Sequence, residues 1–429
     1  MRSLIINHTR IAIIICYFGK MPWYFKYFSK SCEYNPSVDF LLFTDNDITE
    51  SIPPNIIVIR KTLADIANLA SQKLTFPVSL TNPYKLNDFK PAYGFLFSEY
   101  LKQYHFWGQG DLDLVFGNIR SFITEEVLTE HDIISAKKEH IAGFFTLFKN
   151  TEVVNLLFME SKDFETVFRS SRFYCFDECN WQSNALIMGK SIFQVPAEIQ
   201  CITYVVKRMH LCGKVKARFE TIAREGVAGN VSWNRGELFY GDSQPYMLYH
   251  FVHFKELDYF FVPKFKEIPD RFFIRSFFVT KYSPDSLKGR IEESILRSKR
   301  FSKKWTTVFS QYRSWLLKYK SATKIVFPGE GWKIESLLGD YTDVHNHSAI
   351  RIVCKNGQLF VKSGQQAVIP LLQIENFTFL VGKFQVMDGM NIELEFRLNS
   401  ITNSVDLFVK PFRHEKIVFS KPDTSPINN

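Results

Sequence analysis

The sequence predicts an α/β protein. A mostly parallel, Rossmann-like sheet occupies residues 1–270, a basic amphipathic helical linker 271–328, and an all-β, sandwich-like accessory domain 329–429. Three observations lead there. Apolar runs at 11–18, 39–45 and 55–60 alternate with helix-period stretches, the pattern of a sheet covered by helices. Over 288–324, eleven Lys and Arg stand against two acids, Glu292 and Glu293, while Phe301, Trp305, Phe309, Tyr312, Trp315 and Tyr319 recur at helical spacing. Beyond Gly331 the runs AIRIVCK, QLFVKSG, AVIPLLQI, FTFLVGKFQV, NIELEFRL, SVDLFVKPF and EKIVF alternate apolar and polar residues, with turn signals such as Asn356-Gly357 and Asp388-Gly389 between them.

Composition bounds the reading. A chain of 429 residues can build two or three domains with full cores. With 16% aromatic residues it is not a disordered chain. The net charge of +9 equals the excess of the 288–324 stretch alone, so the cationic character is local and calls for an anionic partner there. Seven cysteines without a C-x-x-C pair favour reduced thiols in a cytoplasmic protein, and Cys175, Cys179 and His210 fit no common zinc spacing. The apolar run after Arg2 and Arg10 is short and lacks a small-residue cleavage site, so it reads as a first buried strand rather than a signal peptide. No run approaches the ~20 apolar residues of a membrane-spanning helix. Walker and dinucleotide glycine fingerprints are missing, as is any nucleic-acid recognition motif or hydrolase signature.

Taken in order, the first strand ends in Tyr17-Phe18-Gly19-Lys20 and leads to a helix through Trp23, Phe25, Phe28 and Cys32. The second strand ends in Thr44-Asp45 and the third spans 55–60. The chain is organised around 83–120. A basic turn holding Lys85, Asp88 and Lys90 precedes a helix begun by Pro91, and the strand HFWGQGD then ends in Asp111-Leu112-Asp113. Side chains two apart on an extended backbone share a face, so Asp111 and Asp113 aim at one point, where hard carboxylates suit Mn²⁺ or Mg²⁺. A D-x-D arises about once by chance in a chain this long, and Asp45-Asn46-Asp47 is a second. The first differs in its place at a strand's carboxyl end, among Gly108, Gly110 and Gly117, where open α/β sheets collect ligands.

Further along, 132–136 and 143–150 read as strands, with Thr146 and Asn150 most simply bonded to backbone. Phe176-Asp177-Glu178 is an acidic element or a helix N-cap box. Residues 226–241 read as a loop and a hairpin turning at Asn234-Arg235-Gly236, a candidate lid. In MLYHFVHFK, His250 and His253 fall on opposite faces of a strand, with Lys255 downstream.

PYKLNDFKPAYG and FWGQGDLDLVFGNIR resemble the metal-binding core of GT-A-type glycosyltransferases. They are similar to an uncharacterised bacterial family associated with surface polysaccharides, distantly like glycosyltransferase family 8. The likeness begins at IIICYFGK, includes GFFTLFKNTE and FDE, and ends near YHFVHFKEL, covering about 10–265. The related family usually carries His where Phe144 stands, so acceptor selection is expected to differ.

The resemblance implies a role for each matched residue. Asp111, Asp113 and a histidine, His250 with His253 as competitor, hold the metal, with Mn²⁺ favoured by an imidazole ligand. Tyr17, Phe18 and Asp45 lie near the nucleotide, the alternative being core residues and a turn cap. Lys85 or Lys90 meets the diphosphate or anchors Asp111, Asp111 itself borders the donor, and Lys255 serves the diphosphate. Asp177, or Glu178 in its place, accepts the acceptor's proton.

The expected activity is metal-dependent transfer from a nucleotide-diphosphate donor, UDP-sugar first, to a glycan or lipid-linked glycan of a capsule, O-antigen or lipopolysaccharide. Retention or inversion is left open. The alternative is a non-catalytic glycan-binding or assembly protein of the same shape. The basic helix either lies on an anionic inner membrane, which makes the protein peripheral there, or connects the domains.

Overall fold

The computed structural model describes residues 9–226, 231–241, 244–252, 255, 260–300, 337–343, 349–355, 358–363, 369–375, 378–381, 392–398, 405–411 and 417–420. The chain forms two units, Met1–Arg300 and Phe301–Asn429.

The first unit opens with β1 (Ile11–Tyr17), β2 (Val38–Thr44), β3 (Ile56–Arg60) and β4 (Phe106–Gly110), followed by β5 (Leu114–Phe116), β6 (Ile133–Ser135), β7 (Phe145–Lys149) and β8 (Ala217–Phe219). All but β5 join one sheet in the order β3-β2-β1-β4-β7-β6-β8. Its pairs are parallel except where β7 meets β4 and β6. Ala12, Ile14, Leu41 and Phe43 enter one core, while Ile11, Ile13, Ile15, Phe40 and Leu42 enter the other. Burial on both faces is why these strands read as unbroken apolar runs. Helix α1 (Phe25–Glu33) buries Phe25, Phe28 and Cys32 against the second core. Helix α2 (Leu63–Leu74) buries Ile66, Ala70 and Leu74 against the first, and it starts at a capping box between Thr62 and Asp65.

Pro83–Ala92 is a 3-10 segment capped by Asn82, so helical structure begins at Pro83 and not at Pro91. Short turns at Tyr93–Leu96 and Ser98–Leu101 follow. Sequence reasoning left open whether Lys85 or Lys90 meets a ligand, and the fold removes Lys85 from that choice. Lys85 is fully buried, and its ammonium donates to Asp88 Oδ2 at 2.8 Å and to the carbonyls of Val167 and Arg172 at 2.7 and 2.6 Å. Three N–H groups meet three acceptors, so no donor is left for a diphosphate. Asp88 in turn accepts from Tyr174 N at 2.9 Å and Phe176 N at 2.8 Å, which pins the loop carrying Asp177 and Glu178.

The unit continues with β9 (Ala223–Glu225), β10 (Val231–Asn234), β11 (Glu237–Tyr240), β12 (Gln244–Pro245), β13 (Leu248–His250), β14 (Arg271–Ile274) and β15 (Val279–Thr280). A small sheet runs β5-β13-β9, and a second runs β12-β11-β10-β14-β15. The expected hairpin is β10–β11, turning at Arg235 and Gly236 with φ of 47° and 82°. It is no lid. Trp233 is buried and donates to the Phe116 carbonyl at 2.7 Å, and the hairpin shares a core with Tyr27, Tyr249 and Phe272. Strands β14 and β15 draw 271–280, expected in the linker, into this unit.

Residues 287–300 are helical, and the aromatic, cationic stretch expected over 301–328 lies outside the described residues. Among the described residues no helix is long and apolar enough to cross a membrane.

The second unit contains β16 (Gly339–Asp343), β17 (Ala349–Lys355), β18 (Gln358–Ser363), β19 (Ile369–Glu375), β20 (Thr378–Val381), β21 (Ile392–Leu398), β22 (Val405–Pro411) and β23 (Ile417–Ser420). They close into an antiparallel barrel, which corrects the expected sandwich. The seven strands read from sequence are β17–β23. The unread β16 pairs with both β17 and β23 and closes the ring, leaving no edge strand.

Removing one partner of a buried ion pair leaves an uncompensated charge, so Lys85→Met is expected to cost about 3–5 kcal/mol in urea unfolding. A loss below about 1 kcal/mol would show that the pair does not hold the first unit together.

Candidate metal centre

Strand β1 lies between β2 and β4, and the chain leaves β1 toward β2 on one side and returns from β3 to β4 on the other. Ligands of such sheets bind outside the strand ends where the order reverses. The end of β1 brings Tyr17 and Gly19 to this edge, β2 brings Asp45, and β4 runs directly into Asp111.

The two aspartates link β4 to β5, and the chain between them turns rather than continuing the strand. Strand β5 pairs antiparallel with β13, setting Leu114 opposite His250, and Phe251 N donates to the Asp113 carbonyl at 3.1 Å. This register brings the histidine to the acids. One ligand atom from each of Asp111, Asp113 and His250 lies within 4.8 Å of the others. His250 Nε2 stands 3.2 Å from Asp113 Oδ2, while Nδ1 faces Glu225 Oε1 at 3.2 Å. Two carboxylates and an imidazole whose other nitrogen is already engaged could hold a metal ion. His253 lies outside the described residues.

Two ammonium groups balance the acids. Lys90 donates to Asp111 Oδ1 at 2.5 Å and to the Gly143 carbonyl at 2.9 Å. Burial disfavours its charge, but Asp111 and Asp177 outweigh that and raise its pKa. Lys255 donates to Asp113 Oδ2 at 2.5 Å. Burial likewise opposes the Asp113 carboxylate, yet His250 and Lys255 hold it well below the usual range. Between His250 and Lys255 the backbone passes through Val252 at φ of 46°, a strained conformation for a β-branched residue.

The acidic element lies across Gly143. Glu178 Oε1 accepts from Gly143 N at 2.9 Å, and Asp177 Oδ2 is 4.0 Å from Lys90 Nζ. A Cβ added to Gly143 would stand 2.4 Å from Asp177 Oδ2, so only glycine allows both acids this close. Asp177 is buried, with Oδ1 unpartnered, and burial, only partly offset by Lys90, raises its carboxyl pKa well above normal. Glu178 is half-buried. Of the two, Asp177 is biased toward its protonated form and Glu178 is the more open.

Other sequence candidates separate clearly. Phe18 is buried in the first core. Tyr17 is half-buried, with its hydroxyl donating to the Lys20 carbonyl at 3.0 Å. Asp45 is exposed and accepts from Gly19 N at 3.3 Å, tying the loops after β1 and β2. Thr146 and Asn150 bond the backbone at Ala142, Leu101 and Tyr104. Phe144 packs its ring 4.6 Å from that of His250. Sequence reasoning missed Glu225 and Lys137, which pair at 2.6 Å behind His250. No local motif announces them, because strand register brings in Glu225 and a tertiary contact brings in Lys137.

The charges predict a pH dependence in metal-free buffer. His250, whose pKa is raised from 6.5 to about 9 by Asp113 and Glu225 against the effect of burial, contributes stability that is full below pH 6.5 and lost as pH rises through about 9. Glu225, lowered from 4.5 to about 2 by His250 and Lys137 against burial, contributes above pH 4.5 and loses that contribution as pH falls toward about 2. Urea unfolding across this range is expected to show His250→Ala flattening the alkaline limb. An unchanged limb would place the titration elsewhere.

Residues 13–280 match DUF6625, a family of unknown function, and the chain belongs to this family. No curated protein matches the chain.

Proposed function

We propose that this DUF6625 protein is a metal-dependent glycosyltransferase that moves a sugar from a nucleotide-diphosphate donor, a UDP-sugar first, to a bacterial surface glycan. One observation carries the reading: Asp111, Asp113 and His250 converge at the switch point of a largely parallel sheet, with the cations Lys90 and Lys255 bonded to the two acids. The resemblance of 83–120 to GT-A enzymes supports the same assignment.

A divalent ion held by Asp111, Asp113 and His250 would supply the positive charge that stabilises a departing nucleoside diphosphate. Lys255, half-buried at Asp113, is the side chain suited to a phosphate oxygen. Lys90, deeper and shared between Asp111 and the Gly143 carbonyl, holds the Asp111 carboxylate in its aim. Glu178 is the better of the two acids to accept a hydroxyl proton, because it is more accessible and Asp177 is biased toward its neutral form.

Calorimetry of UDP with the purified protein tests this. Micromolar binding in Mn²⁺ is expected, with loss in EDTA and a drop of roughly 10–100-fold or more in Asp113→Ala. Glu178→Gln is expected to keep UDP affinity while lowering transfer by about 10²–10⁴-fold. A folded protein that binds UDP in no condition would move the assignment to another nucleotide or to a non-catalytic glycan-binding role.

A further inference from the structure

Behind the three candidate ligands lies a second row of charges. Strands β9 and β13 run parallel with Glu225 directly beside His250, so the two side chains leave the small sheet on the same face. The register is held by β13 itself and by Gly226 N, which donates to the His250 carbonyl at 3.0 Å. Glu225 uses both carboxylate oxygens. Oε1 faces His250 Nδ1 at 3.2 Å, and Oε2 meets Lys137 Nζ at 2.6 Å. Lys137 also lies over the Phe144 ring, 5.4 Å from its centre, and Phe144 covers the imidazole. The imidazole is thus gripped at Nδ1 by a carboxylate and across its face by an aromatic ring. The carboxylate is itself fixed by a lysine from another part of the chain.

We infer that Glu225, braced by Lys137, is a positioning residue that holds the proton of His250 on Nδ1 and turns Nε2 toward Asp111 and Asp113 as a metal ligand. The inference rests on the metal-dependent reading above. A neutral imidazole can ligate through only one nitrogen, and the hydrogen bond at the other decides which. Carboxylates in this place also orient the ring and raise its donor strength. Phe144 cannot take over the task, since it offers bulk and no acceptor.

The test uses the full chain and Mn²⁺ alone, followed by loss of the free-ion electron paramagnetic resonance signal. Glu225→Ala is expected to weaken Mn²⁺ binding by about 10–100-fold. Glu225→Gln, whose amide oxygen can still accept from Nδ1, is expected to keep most of the affinity. The decisive comparison is made in His250→Ala, where adding Glu225→Ala is expected to cost nothing further. Should Glu225→Ala not fold, Lys137→Met probes the same chain of contacts with Glu225 in place, and a weaker loss of the same kind is expected. If the wild type binds Mn²⁺ and His250→Ala weakens it while Glu225→Ala does not, the positioning role is wrong and the metal site stands. An equal loss from Glu225→Ala with and without His250 would likewise overturn it. If the wild type takes up no Mn²⁺, the metal-dependent reading falls and this role falls with it.

Discussion

The arrangement turns on keeping Asp113 ionised where almost no water reaches it. A buried carboxylate is tolerated only if opposite charge and hydrogen-bond donors surround it. Two features answer that need: β5 is carried off into a small sheet beside β13, and Lys255 is brought in from downstream. Each brings a cation or a donor to Asp113 that the main sheet alone does not provide. The Trp233 contact to the Phe116 carbonyl then locks the small sheet to the hairpin, so the site and the second sheet are built as one piece.

The acidic side follows similar logic with different means. Lys85 and Asp88 form a sealed pair that grips the backbone of Tyr174 and Phe176. The turn beyond is held by Cys175, Asn180 and Trp181 in left-handed conformations, with φ of 54°, 49° and 66°. Such residues cost about 1–3 kcal/mol each and persist where surrounding structure insists on them. Here they present Asp177 and Glu178 to Gly143.

Much of this was legible from residue order. Strands at 11–18 and 39–45 announced themselves because burial on both faces demands unbroken apolar runs, the edge strand at 55–60 by its β-branched run, and Asp111 and Asp113 drew notice because the strand before them is so clear. Lys85 misled because a lysine in a polar turn looks solvated, and nothing local says that Val167 and Arg172 will close over it. Strand β16, written Gly-Asp-Tyr-Thr-Asp, carries too little apolar alternation to be read, so the remaining strands read as a sandwich. Glu225 and Lys137 were invisible because they are brought to His250 by strand register and tertiary contact, not by sequence spacing.

Strand β7 runs against its neighbours, so the site is approached by chain from two directions. Parallel strands deliver their carboxyl ends to the ligand edge, whereas β7 delivers its beginning, so Gly143 and Phe144 arrive from the opposite direction beside Asp111. The segment 137–144 is therefore tied to the site at several points: Lys137 braces Glu225, Phe144 lies against the His250 ring, the Gly143 carbonyl accepts from Lys90, and the Phe144 carbonyl accepts from Asp111 N. A designer seeking altered selectivity would start at the exposed Lys138 and leave Lys137, Gly143 and Phe144 in place.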